Sequence, residues 1–305
     1  MSLDATPADR AMDVGFVGLG SMGAAIAKRL VGRVTLHVFD LRPEAVEPLV
    51  DLGANAATLG DLGRTCTVVF TCLPRSEDVK EVLFGEGGLT ATLRPGSFVV
   101  DMTTGSPSAD HEIAAKLEPL AVHFVDAPVA GGVRGAAGGT LCITVGGTTG
   151  EFAQVEGLLR VISDRVMHVG GLGCGHVMKL VNNFLVNANR LAACEGIAIA
   201  VERGISLQTC LSALAMGTGH SQVTEGVFRR FAEHGVVSAT GFTLGLAAKD
   251  TELARELFVG SSVPSEVVEQ TAEIIATAAR DLGGERDATA AILTRYGSFG
   301  LPSEG

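Results

Sequence analysis

A lysine and an asparagine lie four residues apart in an otherwise apolar stretch, "GHVMKLVNNFLV", which begins at Gly175. On a helix beginning there, Lys179 and Asn183 share one face. Apolar surroundings lower the pKa of a lysine because burial disfavours its charged form, so Lys179 can act as a general acid and base near neutral pH. Asn183 can hold a reactant in place through a hydrogen bond. The alternative is a lysine whose charged end reaches solvent, beside an asparagine that is satisfied on its own helix.

The stretch "VGFVGLGSMGAAIAKRL" places three glycines in the G-x-G-x-x-G spacing, between an apolar strand and an amphipathic helix. In such a loop the first glycine permits a tight turn, the second lets the backbone approach a pyrophosphate, and the third lets helix and strand pack closely. The start of the helix then presents N–H groups to the phosphates. The candidate cofactor-binding residues of this loop are Gly18, Leu19, Gly20, Ser21, Met22 and Gly23.

An acidic residue, Asp40 in "VFDLRPEA", ends the second predicted strand, about 20 residues beyond the glycine loop. A carboxylate at this point can accept a hydrogen bond from a ribose 2′-OH, which favours NAD. Arg42 could instead meet a 2′-phosphate, so NADP stays open. Asp40, Leu41 and Arg42 are therefore candidate cofactor-binding residues. The alternative interpretation of Asp40 is a helix N-cap ahead of Pro43.

The first half of the chain alternates short apolar runs with helical patterns. The predicted strands are "VGFVG", "VTLHVF", "TVVFTCL", "SFVVDM", "VHFVDA", "LCITVGG" and "RVMHVG". Nearly continuous apolar runs of this kind, with helices between them, indicate a parallel sheet buried on both faces. After Gly170 only helical spacing continues. The sequence therefore predicts an α/β Rossmann-type doubly wound sheet domain over residues 12–172, followed by an all-α substrate and oligomerisation domain over residues 173–300.

Composition disfavours two classes of partner. A net charge of -11, no Trp and a single Tyr argue against nucleic acid, because the chain would repel phosphates and has little on which a base could stack. We find no uninterrupted apolar run near the roughly 20 residues that a membrane-spanning helix needs. The opening "MSLDATPADRAMD" carries three acidic residues and no apolar core, so a secretory signal is not expected. The cytoplasm is the expected location.

Several long motifs, in order along the chain, resemble the β-hydroxyacid dehydrogenases, the family of 3-hydroxyisobutyrate dehydrogenase and tartronate semialdehyde reductase. The matching stretches are "GFVGLGSMG", "DMTTGSP", "FVDAPVAGGVRGAAGGTLCITVGG", "GCGHVMKLVNN", "GFTLGLAAKDTELA" and "GGERDATAAI". The resemblance implies an NAD(P)-dependent 3-hydroxyacid dehydrogenase. Such an enzyme moves a hydride between nicotinamide and a small β-hydroxyacid, such as 3-hydroxyisobutyrate, or its semialdehyde or keto acid. It also implies a homodimer or homotetramer.

The resemblance carries particular roles onto residues of this chain. It makes Lys179 the general acid and base and gives Asn183 the task of holding the substrate. Thr103, in "DMTT", is implied to face the substrate. The further residues implied to line the cofactor are Leu73, Pro74, Asp78, Thr104 and Lys249. On pattern alone, Lys249 and its neighbour Asp250 are more typical of a solvated helix face.

The "APVAGG" stretch is implied to bind the substrate carboxylate. Gly131 and Gly132 can expose consecutive backbone N–H groups, which form an anion-binding turn without a positive side chain. The alternative is a flexible glycine-rich connection. Members of the family usually have serine where Ala130 stands, so one hydrogen bond to the carboxylate is missing. This departure leaves the identity of the hydroxyacid open.

Two other functions fit parts of the pattern. An imine reductase or broad aldehyde reductase would use the same scaffold, but imine reductases tend to replace the lysine, so Lys179 argues against that branch. A non-catalytic nucleotide-sensing module would need neither Lys179 nor Asn183. His176, one turn before Lys179, is expected to be a hydrogen-bonded bystander. No cysteine or histidine cluster has metal-ligand spacing, so no metal is predicted.

Overall fold

The structure, a computed structural model, describes residues 12–234 and 241–296. The chain packs into two compact units, which divide between Lys179 and Leu180. Most of the opening stretch analysed for a signal sequence lies outside the described residues, and so do residues 297–300 of the predicted helical domain. The domain ranges given by the sequence stay predictions.

A nine-stranded sheet forms the centre of the first unit. Its strands are β1 (Asp13–Val17), β2 (Thr35–Phe39), β3 (Asn55–Ala56), β4 (Val68–Thr71), β5 (Phe98–Asp101), β6 (His123–Asp126), β7 (Val129–Ala130), β8 (Cys142–Gly146) and β9 (Arg165–Gly170). Seven of them coincide with the apolar runs of the sequence. The other two, β3 and β7, have two residues each and are too short to show a periodic pattern.

The strand order is β3-β2-β1-β4-β5-β6-β8-β7, and β9 pairs with β8. All pairings among strands β1 to β6 are parallel, whereas β8 runs antiparallel to β6 and β7. The expectation of a parallel sheet is therefore wrong at this end, where β7 follows β6 after two residues and pairs with the start of β8. The predicted Rossmann-type class of fold is confirmed.

Helices cover both faces of the sheet. They are α1 (Ser21–Leu30), α2 (Pro43–Val50), α3 (Leu59–Thr65), α4 (Ser76–Phe84), α5 (Pro107–Leu117), α6 (Gly132–Gly138) and α7 (Thr149–Ile162), with short 3₁₀ turns at Leu89–Ala91 and Glu118–Leu120. Because side chains alternate along a strand, Phe16 joins the apolar core under α1, α2, α6 and α7, and Val17 joins the core under α3, α4 and α5. The strand order changes direction between β1 and β4. Open α/β sheets bind ligands at such a point, beyond the carboxyl ends of the strands.

The second unit is helical. Its elements are α8 (Cys174–Glu202, which begins in the first unit), α9 (Leu207–Met216), a π-helical segment (Val223–Phe228), α10 (Arg229–His234), α11 (Leu244–Glu256), α12 (Glu266–Leu282) and α13 (Ala288–Tyr296). Its core includes Ile197, Phe228, Ile275 and Ile292, which are fully or almost fully buried. The Thr243 side chain accepts a hydrogen bond from the Leu246 N–H and thereby caps the start of α11.

Helix α8 is the one described helix that is long and apolar enough to cross a membrane by length and composition, with a mean hydropathy of 1.3 over its most apolar window. This result differs from the sequence expectation, because Lys179 and Arg190 interrupt the apolar run while the average stays high. Inside the protein, 28% of that window is buried, and the buried residues of α8 include the polar Asn183, Asn187 and Arg190.

Candidate active site

The loop after β1 turns sharply at Gly18, whose φ of +94° lies in the left-handed region that favours glycine. A Cβ at this position would lie 2.4 Å from the carbonyl oxygen of Cys72, directly after β4. The Gly18 N–H donates a 3.0 Å hydrogen bond to the carbonyl oxygen of Phe39, the last residue of β2. Gly18 thus joins the carboxyl ends of three adjacent strands.

The other two glycines of the loop have opposite surroundings. A Cβ at Gly23 would lie 1.9 Å from the carbonyl oxygen of Gly18, so α1 packs directly on the loop. A Cβ at Gly20 would meet no atom of the described residues within 4 Å. The N–H groups of Ser21, Met22 and Gly23 open α1, where helical partners are lacking. This open approach to a helix N-terminus fits the pyrophosphate of a dinucleotide.

Asp40 lies beside the same loop. Its Oδ2 accepts a 2.7 Å hydrogen bond from the Leu19 N–H, and its Oδ1 accepts from the Arg42 N–H (2.9 Å) and Nε (3.3 Å). Burial raises the pKa of Asp40, but these hydrogen bonds outweigh it and hold the pKa below the ordinary value of 3.8. Leu41 is exposed, and the Arg42 side chain is mostly exposed. Asp40 is therefore an ionised group at the edge of the predicted cofactor site.

The ends of β4 and β5 bring two predicted residues together. The Leu73 N–H donates a 3.1 Å hydrogen bond to Oγ1 of Thr103. The Thr103 N–H in turn donates to Oδ1 of Asp101 (3.0 Å), which also accepts from the Thr71 hydroxyl (2.8 Å). Thr103 and Asp101 are each 1% exposed, so this edge of the sheet is held by a buried network. Of the other predicted residues here, Thr104 is half-buried and Pro74 is exposed.

Asp78 lies in the first turn of α4, where a carboxylate complements the helix dipole. Its two oxygens accept hydrogen bonds from Nε and Nη2 of Arg75, each 3.2 Å long. The partner of Asp78 is thus an exposed arginine in the loop after β4. Its predicted contact with the cofactor stays a prediction.

Gly131 and Gly132 have φ values of +133° and +68°, so both require the conformations that glycine adopts readily. Both are exposed, and α6 begins at Gly132. Ala130 is half-buried and pairs with Cys142 across β7 and β8. A Cβ at Gly132 would meet nothing within 4 Å among the described residues, so the backbone there can be approached by a ligand. Carboxylate binding at this turn stays a prediction.

The start of α8 is capped by a buried carboxylate from the end of β6. Oδ1 of Asp126 accepts a hydrogen bond from the Gly173 N–H, and Oδ2 accepts from the His176 N–H, both 2.8 Å long. A Cβ at Gly175 would lie 2.6 Å from Asp126, and one at Gly146 only 2.1 Å. A negative charge at a helix N-terminus is favourable. Asp126 therefore fixes the first turn of α8 at the carboxyl edge of the sheet.

The His176 imidazole is fully buried between two elements of the first unit. Its Nδ1 lies 2.6 Å from Oδ2 of Asp110 on α5, and its Nε2 lies 2.7 Å from the carbonyl oxygen of Thr103. Burial lowers the pKa of His176, but the hydrogen bond and charge of Asp110, with the charges of Asp101 and Asp126, raise it to about 9. Burial raises the pKa of Asp110 to about 6 against the opposing effect of His176.

Ligand atoms of Asp101, Asp110 and His176 lie within 4.8 Å of one another. The sequence gives no sign of this group, since Asp110 and His176 are 66 residues apart. Both imidazole nitrogens already have partners, so the group is a hydrogen-bonded network. The expectation of no metal stays a prediction.

In the second unit, Asp250 on α11 joins two predicted residues. Its Oδ2 accepts a 2.6 Å hydrogen bond from Nδ2 of Asn183, and its Oδ1 lies 3.0 Å from Nζ of Lys249. Oδ1 of Asn183 accepts from Nδ2 of Asn182 at 3.0 Å. Asn183 is thus held in one orientation, and Lys249 is paired rather than solvated.

Lys179 lies one turn before Asn183 on the same face of α8 and is half-buried. The polar stripe continues toward the C-terminus of the helix. Nδ2 of Asn187 donates to Oγ1 of Thr251 (2.9 Å), and Nη1 of Arg190 donates to Oδ1 of Asn187 (2.8 Å).

Sequence analysis did not identify Asp110, Asp126 or Asp250 as residues of the site, and took His176 for a bystander. Each carboxylate follows or precedes an ordinary apolar pattern, and each has at least one partner that is distant in sequence. Two local signals were present. Asp126 directly follows a buried run, at the carboxyl edge where ligands bind, and the glycines of "GCGH" leave room for a neighbour at the start of α8.

Comparisons with known proteins agree with this geometry. Residues 13–170 match the family model described as the NAD binding domain of 6-phosphogluconate dehydrogenase. Residues 173–294 match the one described as NAD-binding of NADP-dependent 3-hydroxyisobutyrate dehydrogenase. The two matches cover nearly all of the described chain.

Individual proteins give the same picture. The chain is 32% identical to 2-(hydroxymethyl)glutarate dehydrogenase of Eubacterium barkeri, over 93% of this chain and 95% of that one. It is 27% identical to the solved 3-hydroxyisobutyrate dehydrogenase of Mycobacterium tuberculosis with L-serine, with a TM-score of 0.84 over 93% of this chain and 99% of that one. An imine reductase from Myxococcus stipitatus, at 20% identity and a TM-score of 0.64 over 94% and 99% of the two chains, shares the fold alone.

The chain belongs to the β-hydroxyacid dehydrogenase family. It is an oxidoreductase that uses NAD or NADP and acts on the CH–OH group of a small hydroxyacid. The family, the class of reaction and the cofactor predicted from the sequence are confirmed.

Proposed function

We propose that Lys179 is the general acid and base of the reaction and that Asn183 holds the substrate. The observation that carries this proposal is the anchored first turn of α8: Asp126 caps it, His176 contacts the end of β5, and Lys179 follows three residues later. In oxidation, the neutral Nζ of Lys179 accepts the hydroxyl proton. In reduction, its ammonium form donates a proton to the carbonyl oxygen. When bound, the nicotinamide supplies the hydride chemistry.

Residues at the carboxyl edge of the sheet would hold the cofactor. The open backbone at Gly20 and the start of α1 suit the pyrophosphate, and Asp40 suits a ribose hydroxyl. Lys249, paired with Asp250, suits the nicotinamide end. The remaining residues proposed to line the cofactor are Gly18, Leu19, Ser21, Met22, Gly23, Leu41, Arg42, Leu73, Pro74, Asp78 and Thr104. Residues 12–172 would form the nucleotide-binding domain, and residues 173–300 the substrate and oligomerisation domain.

The proposed substrate is a 3-hydroxypropionate with a substituent on carbon 2, HO–CH₂–CHR–COO⁻. The relatives named for 2-(hydroxymethyl)glutarate and 3-hydroxyisobutyrate, and the structure with L-serine, share this unit and differ in R. The N–H groups of Gly131 and Gly132 would receive the carboxylate, and Thr103 would face the hydroxyl-bearing end. Ala130 contributes no polar group, so the backbone donors carry carboxylate recognition.

A substrate panel tests this function. Purified protein with NAD or NADP is assayed for cofactor reduction with 3-hydroxyisobutyrate, serine, glycerate, 3-hydroxypropionate, threonate, 4-hydroxybutyrate and 2-(hydroxymethyl)glutarate. We expect turnover with members that carry the HO–CH₂–CHR–COO⁻ unit, and loss of turnover with the matching methyl ester, because the ester removes the charge that the glycine turn binds. Cofactor binding without turnover of any hydroxyacid, in either direction, would contradict the proposal and favour a carbonyl or imine substrate.

Asp40 is expected to set a preference for NAD. In Asp40→Ser the carboxylate that would repel a 2′-phosphate is lost and Arg42 is released from it, so the ratio of kcat/KM for NADP to that for NAD should rise by about tenfold or more. Steady-state kinetics with both cofactors measures the ratio. Adding Arg42→Ala to Asp40→Ser should remove the gain. An unchanged ratio in Asp40→Ser would show that another residue sets the preference.

A second copy of the chain is proposed to cover the outer face of α8, giving a homodimer or homotetramer. On this helix polar side chains are buried and apolar side chains are exposed, the reverse of the usual arrangement. Asn183 and Asn187 are buried. Leu185 and Ile199, on the opposite side, are 49% and 48% exposed. Ala192, between them on the same face, is also exposed. An apolar stripe of this kind is typical of a helix that packs against a partner.

Charge reversal on the stripe tests the oligomer. We expect Leu185→Glu or Ile199→Glu to convert the assembly into smaller species, because each places a carboxylate in a desolvated interface. Size-exclusion chromatography with light scattering gives the molar mass. Gln208→Glu, on the exposed surface of α9, is the matched control. A wild-type monomer, or variants with the wild-type mass, would contradict the proposal.

We further propose that the protein works in the cytoplasm. All six cysteines are free thiols, as expected in a reducing compartment. The cofactor is also a soluble metabolite that such a compartment supplies.

A further inference from the structure

The His176 imidazole makes a link that the catalytic roles above leave unexplained. Its Nε2 lies 2.7 Å from the carbonyl oxygen of Thr103, which is only an acceptor, so Nε2 must carry a hydrogen for this bond to form. Its Nδ1 lies 2.6 Å from the carboxyl group of Asp110. Either Nδ1 carries a proton and donates to an ionised Asp110, or it accepts from a protonated Asp110. In both cases Nδ1 and Asp110 share one proton, and the hydrogen on Nε2 stays available for the bond to Thr103.

The two ends of this link are residues of the proposed mechanism. Thr103 follows β5 and is proposed to face the substrate. Lys179 follows His176 by three residues, which is nearly one helical turn. The carboxylate of Asp126 also holds the His176 N–H, so backbone and side chain of His176 are both fixed. The imidazole therefore connects α8, which carries Lys179, to the backbone of Thr103.

We propose that His176 and Asp110 form a positioning pair that sets the distance between Lys179 and Thr103. This inference rests on the proposed function, because it assigns the pair a task only if Lys179 and Thr103 act on the substrate. Neither His176 nor Asp110 touches the reacting atoms; both act through the residues that they hold. A displacement of about 1 Å in a reacting group can lower a rate by about 10²-fold, so the pair should be visible in kcat.

The pair also makes the link sensitive to alkaline pH. The groups that face the imidazole are Asp110 from α5, Asp101 at the end of β5 and Asp126 at the end of β6, all of them acidic. The folded-state pKa of His176, about 9, lies above its ordinary value of 6.5. Its stabilising contribution is therefore complete below pH 6.5 and is lost as pH rises through about 9. Above that pH a bare Nδ1 would face a carboxylate, which repels it.

A neutral isostere separates geometry from charge. In Asp110→Asn, the amide N–H can donate to Nδ1 while Nε2 keeps its hydrogen for Thr103, so the link survives with a neutral ring. In His176→Gln the ring is lost, and one amide cannot reproduce both contacts at the same separation. His111→Gln, which changes the exposed neighbour of Asp110 on α5, is the control. All four proteins are compared as full chains.

Four measurements are made. For His176→Gln we expect kcat at pH 7 to fall about 10- to 100-fold, while the Kd for NADH stays within about twofold, since the glycine loop is untouched. Asp110→Asn should keep most of the wild-type kcat, and His111→Gln should match wild type. In nitrogen-resolved NMR of the wild type, both His176 nitrogens should be protonated at pH 7 and titrate well above 6.5. The melting temperature should fall more steeply between pH 6.5 and 9 in wild type than in Asp110→Asn.

The possible failures are distinguishable. Wild-type kcat in His176→Gln, or a His176 whose Nε2 carries no hydrogen at pH 7, would overturn the positioning pair while leaving Lys179 as the general base. Equal loss of kcat and of NADH binding in His176→Gln would also overturn it, since that is general destabilisation. Full activity in Lys179→Ala would instead overturn the proposed function on which the inference rests.

Discussion

Replacing Lys179 with alanine is expected to lower kcat about 10³-fold, because a positioned general acid and base contributes about 10²- to 10⁴-fold to such a reaction. Binding of NADH should survive, since the glycine loop and Asp40 do not depend on this side chain. Turnover is followed by the absorbance of the reduced cofactor. Binding is followed by NADH fluorescence, which is convenient here because the chain contains no tryptophan.

Two further lysine variants sharpen this test. Lys179→Arg keeps a positive charge but cannot release its proton near neutral pH, so its kcat should stay about 10²-fold or more below wild type. If the lysine served only to attract the carboxylate, Lys179→Arg would keep most of the activity. Lys28→Ala, in the exposed last turn of α1, should behave as wild type. Retained turnover in Lys179→Ala would refute the assigned role.

The features that the sequence predicted well have local causes. An apolar strand, a turn at Gly18 and a helix starting at Ser21 lie next to one another in the chain, so their spacing alone identifies the cofactor loop. The polar stripe on α8 was likewise visible, because Lys179, Asn183 and Asn187 repeat at helical spacing. The seven longer strands were found for the same reason. The reversal of β8 was missed because β7 has only two residues and gives no periodic signal.

The features that the sequence did not predict depend on distant partners. Asp126 accepts hydrogen bonds from the N–H groups of Gly173 and His176, which lie 47 and 50 residues away in the sequence. Asp250 lies 67 residues from Asn183. No local pattern says which buried carboxylate will meet which donor, because the pairing is decided by the order of the strands and by helix packing. The sequence therefore predicts some of the residues of the site, but it does not predict the contacts that hold them in place.

Two glycines of the cofactor loop should respond to alanine in opposite ways. At Gly20 a Cβ would enter open space, and φ is -63°, which alanine adopts readily. The melting temperature of Gly20→Ala should therefore stay near that of wild type. The methyl group would, however, stand where the proposed pyrophosphate approaches the backbone, so the Kd for NADH should rise by about tenfold or more. Fluorescence titration and a thermal melt measure the two effects.

At Gly23 the added Cβ would lie 1.9 Å from the carbonyl oxygen of Gly18, so loop and helix must separate. Overpacking typically costs about 1–3 kcal/mol, and a backbone overlap this close belongs at the upper end or beyond. The melting temperature of Gly23→Ala should fall by about 6 °C or more. Gly157→Ala, in open space on α7, is the control and should be neutral or stabilising. If Gly20→Ala lost stability and kept its affinity for NADH, the loop would be a packing element and the dinucleotide would bind elsewhere.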